Sequence, residues 1–240
     1  MKINTIVLAA GKGTRLDCDF PKCGIKILGK PMIVRIIEEL ESVKIDNIIV
    51  VLGYMKDKII DKLDESVKVA FQEEQLGTGH AVKCGIDLCE EGITLVVPGD
   101  MPFINSDIIR RLITNHLIYK YDASIVTNVL SDSKNYGRIK RNNNRIVKII
   151  EAKDATKEEL EIKEVNSGLM CFNTNILKEY INKIEKNTFT NEYYLTDIIE
   201  LISDLNIGSI TYVNDYKLLG INTIDDITKI MEIKTNNDRL

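Results

Sequence analysis

The chain has 240 residues, 44% of them hydrophobic and 28% charged, with a formal net charge of −4. That length suits one large α/β domain or two small ones. The acidic balance disfavours wholesale binding to nucleic acid, so a polyanionic ligand would have to be held by a local cluster of basic groups.

NTIVLAA at the start reads as a buried parallel strand, apolar throughout. Ile33, Ile36, Ile37, Leu40 and Val43 recur at helical spacing after Pro31, which predicts an amphipathic helix over 32–44. NIIVVL (47–52) is a second buried strand, KDKIIDKL a short helix, and VKVAFQ (67–72) a third strand. Residues 78–89 read as a helix, ITLVV (93–97) as another central strand, 106–119 as a helix and ASIVTNV (123–129) as a strand. GRIKRNNNRIVKIIE (137–151) alternates around an Asn-rich turn, which predicts a hairpin. Residues 152–164 form a charged surface excursion, and VNSGLMCF (165–172) returns as a strand. Helices are expected near 174–185 and 194–205, a strand at SITYV and a closing helix over 223–235.

Strand–helix alternation over the first 130 residues predicts a Rossmann-like, doubly wound, mostly parallel mixed sheet flanked by helices, with ligands beyond the carboxyl ends of its strands. The hairpin would be a small excursion on one side. Residues 1–235 read as a single domain and 236–240 as a frayed tail. No apolar run reaches the length of a membrane span and no signal peptide opens the chain, so no membrane partner is expected and the reading is cytoplasmic. The five cysteines, Cys18, Cys23, Cys84, Cys89 and Cys171, form no disulfide framework on this reading and pack as small apolar thiols. Zinc is disfavoured, because only His80 and His116 could join them and the cysteine spacings are wide.

LAAGKGTRLDCDFPK (8–22) carries the first chemical signal. A Walker A loop would need a glycine where Leu8 stands, and a dinucleotide fingerprint would need one at Leu16, so both patterns fail. What remains is a strand running into a loop whose Gly11 and Gly13 let backbone N–H groups converge on an anion. Lys12, Arg15 and Lys22 bring three positive charges into one segment of an acidic chain, which suits a triphosphate and its displaced pyrophosphate.

That loop resembles the signature loop of the sugar-1-phosphate nucleotidylyltransferases. QEEQLGTGHA (72–81), PGD (98–100), YGRI (136–139), EAKDA (151–155), EVNSGL (164–169), EYYLTDII (192–199) and GIN (220–222) follow in matching order. Together they resemble the uridylyltransferase domain of the bifunctional enzymes that make UDP-N-acetylglucosamine, over nearly all of residues 3–235. The hexapeptide repeats of those enzymes' acetyltransferase domain do not occur here, so acetyl transfer is not implied.

The resemblance implies attack by an N-acetylglucosamine 1-phosphate oxygen on the α-phosphorus of UTP, releasing pyrophosphate. Such a reaction depends on positioning, charge neutralisation and a metal rather than on a covalent nucleophile. Asp100 follows a central strand, so its carboxylate should project beyond the sheet edge, where a hard oxygen suits Mg²⁺. Taken alone, Asp100 could equally cap the turn in GDMP. The resemblance makes it a metal ligand, with Asn222 as the second, and makes Arg15, Lys22 and Asp100 catalytic. It puts Leu8, Ala10, Gly11, Gly13, Thr14 and Lys22 around the nucleotide, with Gln72 reading uracil through its amide and Gly77 and Thr78 closing over the base. Gly99, Gly137, Glu151, Asn166 and Asn222 are its substrate-binding positions. The nucleotide half is then about 1–130 and the sugar half, with the hairpin, about 131–235. Glu192, Tyr193, Tyr194 and Asp197 are expected to be structural, with Thr196 or Asp197 capping a helix. His80 is expected to be a satisfied helix histidine.

Two positions depart from the family pattern. Pro98 stands where a tyrosine usually precedes GD, which puts sugar specificity in question, and Gly24 stands where a leucine is usual and should alter only packing. Another hexose 1-phosphate or another base would keep the same mechanism. Thymidylyltransferases usually have a longer loop than the six residues between Arg15 and Lys22. Cytidylyltransferases usually lack the QLGTGHA and EVNSGL pair. A binding module without catalysis is the reading from a different class; Lys22, Asp100 and Asn222, whose loss would signal it, are all present.

Overall fold

The computed structural model describes residues 1–13, 20–133 and 135–237. Its first strand, β1 (Lys2–Ala9), runs into the glycine loop. A two-residue pair, β2 (Lys26–Ile27) and β3 (Lys30–Pro31), precedes helix α1 (Met32–Ser42). Strand β4 (Asn47–Leu52), helix α2 (Asp57–Ile60), strand β5 (Lys68–Phe71), helix α3 (Thr78–Gly85) and strand β6 (Gly92–Pro98) complete the first half of the sheet. Helix α4 (Ser106–Ile118) leads to β7 (Ala123–Val129), the hairpin β8 (Arg138–Asn142) and β9 (Arg145–Ile150), helix α5 (Lys157–Leu160) and β10 (Glu164–Asn173). Helix α6 (Thr174–Tyr180), helix α7 (Asp197–Leu201), strand β11 (Ile207–Val213) and helix α8 (Ile224–Asn237) close the chain.

The sheet runs β11-β7-β10-β6-β1-β4-β5, with the β8–β9 hairpin attached to β10. β1 pairs in parallel with both β4 and β6, while β10 lies antiparallel between β6 and β7. The doubly wound, mostly parallel mixed sheet expected from the sequence is therefore the architecture found. Both faces of its centre are covered. Along β4, Ile48, Val50 and Leu52 join the core under α1 and α4, while Ile49 and Val51 join the core under α3 and α6. Alternating side chains point to opposite faces, so an element apolar at every position can bury only between two helical layers. The α1 stripe of Ile33, Ile36, Ile37 and Leu40 is fully buried, and truncating one of these to alanine would cost about 2–5 kcal/mol.

Several elements differ from expectation in extent. The 174–185 helix ends at Tyr180 and tightens into a 3-10 turn over Ile181–Lys183, which buries both Ile181 and Ile184. The 194–205 helix contracts to α7, whose preceding residues are held by other partners described below. The charged excursion contains α5, capped reciprocally by Thr156 and Glu159. The closing helix runs to Asn237, two residues past the expected domain limit. The Asn-rich turn has Asn143 and Asn144 in the left-handed region, as a tight hairpin requires. Gly24 is a packing glycine, because a Cβ there would lie 2.3 Å from the Phe20 ring and 2.5 Å from Ile59.

Among the described residues, no helix is long and apolar enough to cross a membrane. Cys23, Cys84, Cys89 and Cys171 are free thiols, and burial pushes the Cys23 thiol up to about 12.

Candidate active site

The strand order reverses between β1, whose successor β4 lies on one side, and β6 on the other. Crevices for ligands open beyond the carboxyl ends of strands at such a switch point. The Gly99 N–H donates to Leu8 O at 2.9 Å and extends the β1–β6 pairing by one residue. Asp100 is thereby delivered to the mouth of the sheet. A cavity of about 240 Å³ opens there, with Leu8, Gly11, Lys22, Gly99 and Asp100 on one side and Glu151, Asn166, Gly168, Leu195 and Thr196 among its other lining residues.

Lys22 joins the two expected metal ligands. Its ammonium pairs with Asp100 Oδ2 and donates to Asn222 Oδ1 at 2.7 Å. These residues are 78 and 200 positions apart from Lys22, so only the fold brings them together. Asn222 is held from behind. The Ile221 N–H donates to Asp100 O at 2.9 Å, and the Asn222 and Thr223 N–H groups both donate to Asp226 Oδ2. The Asp226 N–H returns a bond to Thr223 Oγ1, which makes a reciprocal cap at the start of α8. The Tyr136 hydroxyl accepts from the Gly220 N–H, and burial pushes that phenol up to about 12. Asp100 Oδ2 and Asn222 Oδ1 thus converge on one point, and both are hard oxygen donors of the kind a divalent cation takes.

The opposite wall is built from the hairpin, β10 and the segment before α7. Thr196 stands at the N-cap position of α7, but its hydroxyl donates to Glu151 Oε1 at 2.8 Å instead of capping the helix. The expected cap, Thr196 or Asp197, is therefore corrected: α7 has no side-chain cap, and the threonine orients the carboxylate that follows β9. Asp197 follows, and its carboxyl is pushed up to about 6, first by burial and then by the nearby Glu151 charge. Asn166 Oδ1 accepts from the Gly168 N–H at 2.9 Å, which leaves the Asn166 amide nitrogen facing no bond of this turn. Gly168 has φ +87, and a Cβ there would lie 2.6 Å from Pro98 Cγ, so proline and glycine meet across the cavity floor. The Asn166 N–H donates to Gly137 O at 2.8 Å, which ties the hairpin to β10.

Of the expected base-binding residues, Thr78 lines this cavity, and Gln72 and Gly77 do not. Gln72 is only 3% exposed, and its amide nitrogen donates to Gly77 O at 3.0 Å and lies 3.0 Å from His80 Nδ1. The expectation that Gln72 offers both donors and acceptors to a base is narrowed, because its donors already have partners. Gly77 has φ +96, and a Cβ there would approach Tyr193 O to 2.5 Å. This glycine is needed for the 192–195 segment to pack: the Tyr193 N–H donates to Leu76 O and the Gly79 N–H to Tyr193 O, each at 2.8 Å. The Leu195 N–H donates to Thr78 Oγ1 at 3.0 Å. EYYLT therefore braces the LGTG loop at one end and Glu151 at the other.

Of the expected site residues, Leu8, Gly11, Lys22, Thr78, Gly99, Asp100, Glu151 and Asn166 line the cavity. Ala10, Gly13, Gln72, Gly77, Gly137 and Asn222 are not among its lining residues. Gly13, at φ +64, lies against the Lys22 stem. Thr14 and Arg15 lie outside the described residues. Of the three basic residues of this segment, Lys12 has its Nζ 6.0 Å from the Tyr54 ring centroid, and Lys22 is turned to Asp100 and Asn222. Thr196 is the residue that sequence reasoning misplaced. Its hydroxyl beside Asp197 reads as a cap, and only the fold shows Glu151 opposite it.

Residues 5–135 match the MobA-like NTP transferase domain model. The chain is 40% identical over 220 residues to the bifunctional protein GlmU of Carboxydothermus hydrogenoformans, covering 90% of this chain and 49% of that one. It is 38% identical over 237 residues to GlmU of Clostridioides difficile, covering 97% and 52%. The chain thus spans about half the length of the curated relatives it matches, and the match lies in their amino-terminal half. Among solved structures, a UDP-glucose pyrophosphorylase complexed with UDP-glucose superposes with a TM-score of 0.82 at 17% identity, over 99% of this chain and all of that one. The inositol-1-phosphate CTP transferase of T. maritima superposes at 0.69 and 18% identity, over 95% and 96%. These structures share the fold. By the match over residues 5–135, the chain belongs to the MobA-like NTP transferase family.

Proposed function

We propose that this chain transfers the uridylyl group of UTP to N-acetylglucosamine 1-phosphate and releases pyrophosphate. The observation that carries the reading is the convergence of Lys22, Asp100 and Asn222 at the switch point, facing Glu151 and Asn166 across one cavity. The similarity to GlmU proteins supports the same reaction. A phosphate oxygen of the sugar phosphate attacks the α-phosphorus, the bond to the bridging β-phosphate oxygen breaks, and pyrophosphate carries away the negative charge.

Asp100 and Asn222 would hold Mg²⁺, which supplies neutralisation of phosphate charge when bound. Lys22, with Arg15 as the resemblance implies, neutralises the charge that develops on the phosphates. Gln72, Gly77 and Thr78 form the base side, with Leu8, Ala10, Gly11, Gly13 and Thr14 along the nucleotide. Glu151 accepts hydrogen bonds from sugar hydroxyls in the orientation that Thr196 fixes, and the Asn166 amide nitrogen donates to the sugar. Gly99 and Gly137 complete that wall. On this reading the nucleotide half spans about 1–130 and the sugar half about 131–235.

One observation keeps a second hexose 1-phosphate in view. Pro98 fills the cavity floor against Gly168 with an aliphatic ring and offers no N–H. A turnover panel of UTP, CTP and dTTP against the 1-phosphates of glucose, glucosamine and N-acetylglucosamine tests the assignment. The pair UTP and N-acetylglucosamine 1-phosphate should have the highest kcat/KM. A higher value for glucose 1-phosphate would transfer the assignment to that sugar.

A further inference from the structure

We propose that His80 is a positioning residue that fixes which end of the Gln72 amide meets the bound base, and so selects uracil over cytosine. This deepens the uridylyl reading and rests on UTP being the bound nucleotide.

Gln72 directly follows β5, and its backbone N–H still donates to Leu52 O at 2.8 Å, so its Cα is fixed by the sheet. Its side-chain nitrogen has two hydrogens and no capacity to accept. One hydrogen goes to Gly77 O and the other to His80 Nδ1, each at 3.0 Å. The second bond exists only if Nδ1 carries a lone pair, which places the imidazole proton on Nε2. The Nε2 side faces Cys84 Sγ at 4.0 Å, a weak acceptor compatible with that tautomer. Both partners of the amide nitrogen are therefore acceptors. Turning the amide over would set Oε1 against a carbonyl oxygen and an imidazole lone pair, so the flip is opposed twice.

Neither partner can readily yield. Gly77 is locked at φ +96 against Tyr193, and its carbonyl also accepts the Ala81 N–H of α3 at 3.1 Å. His80 rides on α3 with its ring 6.4 Å from the Tyr193 ring. With both donors taken, Oε1 is the hydrogen-bonding atom that the Gln72 amide has left, and it can only accept. The pairing edge of uracil offers one donor, N3–H, between two carbonyl oxygens. Cytosine presents an unprotonated N3 at the same place and carries its donor, the 4-amino group, one position away where uracil has O4, so the discrimination requires Oε1 to be held opposite N3. An acceptor-only Gln72 bonds the first and repels the second. Without His80, one amide hydrogen loses its partner in a nearly closed space and only Gly77 O still opposes the flip, so the amide turns its nitrogen toward the base more readily.

The test is equilibrium binding of UTP, dTTP and CTP with Mg²⁺, measured by calorimetry on the whole chain and on two variants. The unaltered protein should bind UTP at least about tenfold more tightly than CTP. His80→Leu should bring that ratio to within about threefold of unity. His80→Gln, whose carbonyl oxygen can accept the same hydrogen, should retain it. The UTP-to-dTTP ratio should not move in either variant, because thymine keeps N3–H. If leucine is not tolerated at this position, His80→Ala removes the acceptor equally. Equal weakening of UTP and CTP in His80→Leu would make the histidine merely structural and overturn the proposal, as would an unaltered protein that binds CTP as tightly as UTP. Pyrophosphate release is assayed separately. A UTP preference lost in His80→Leu, with no release from any sugar phosphate, would sink the transferase reading and leave the role of His80 standing.

Discussion

Lys22 Nζ lies between Asp100 and Asn222, 2.7 Å from Asn222 Oδ1 and paired with Asp100 Oδ2. The same two oxygens are the proposed metal ligands, so an ammonium and a divalent cation compete for one place. Removing the ammonium should therefore tighten cation binding in the nucleotide-free protein. Lys22→Met should bind Mn²⁺ several-fold more tightly without UTP, read by electron paramagnetic resonance of free Mn²⁺. Its transfer rate should fall by about 100-fold, because the lysine no longer meets phosphate charge. Weaker Mn²⁺ binding in the variant would mean that Lys22 supports the cation site instead of competing for it.

Glu151 is oriented by the Thr196 hydroxyl across 2.8 Å. Glu151→Ala should raise KM for the sugar phosphate far more than KM for UTP, and Thr196→Val should do the same more weakly, by about three- to tenfold. Steady-state kinetics with each substrate varied in turn separates the two. A larger effect on UTP would mean that the two halves of the site are exchanged.

Asp197 gives a pH dependence with a definite sign. Its folded-state carboxyl is raised from the ordinary 3.8 to about 6 by burial and then by Glu151. The unfolded chain therefore ionises first. Stability from this group is fully present below pH 3.8 and is lost as pH rises to about 6. The carboxyl is only partly buried, so screening reduces the loss to about 1 kcal/mol. Asp197→Asn should accordingly be the more stable protein at pH 8 by about that amount, with the advantage shrinking toward pH 4, in urea unfolding at both pH values. An advantage that grows on acidification would reverse the sign assigned here.

Gly168 and Pro98 form a coupled pair. Gly168→Ala should cost about 2–3 kcal/mol, from a left-handed backbone and a Cβ that would sit 2.6 Å from Pro98 Cγ. Pro98→Ala alone should cost less, and the double variant should recover the steric part but not the backbone part. Additive losses in urea unfolding would show that the two residues do not press on each other.

Most of the fold was legible in the sequence because its central strands are apolar at successive positions and its helices carry clean stripes. NIIVVL declares both covered faces at once, and the Ile33–Leu40 stripe declares α1. What stayed hidden depends on contacts between distant segments. The short helix α5 lies in a charged stretch without an apolar stripe, and only the Thr156–Glu159 spacing marks it. α7 is short because Leu195 and Thr196 bond to Thr78 and Glu151 rather than extending a helix. In the site, motif order marked Lys22, Asp100 and Asn222, but not that the lysine bridges the other two. Nor could spacing reveal that His80 takes a hydrogen of Gln72, since that bond depends on how α3 rises from the β5 edge.

The central claim is uridylyl transfer with Asp100 and Asn222 at the phosphates. Its most direct test is pyrophosphate release from UTP, Mg²⁺ and N-acetylglucosamine 1-phosphate, compared between the unaltered chain and Asp100→Asn at matched folding. Release should be sugar-dependent and should fall by about 100-fold or more in the variant. No release with any sugar 1-phosphate, or an undiminished rate in Asp100→Asn, would contradict the account.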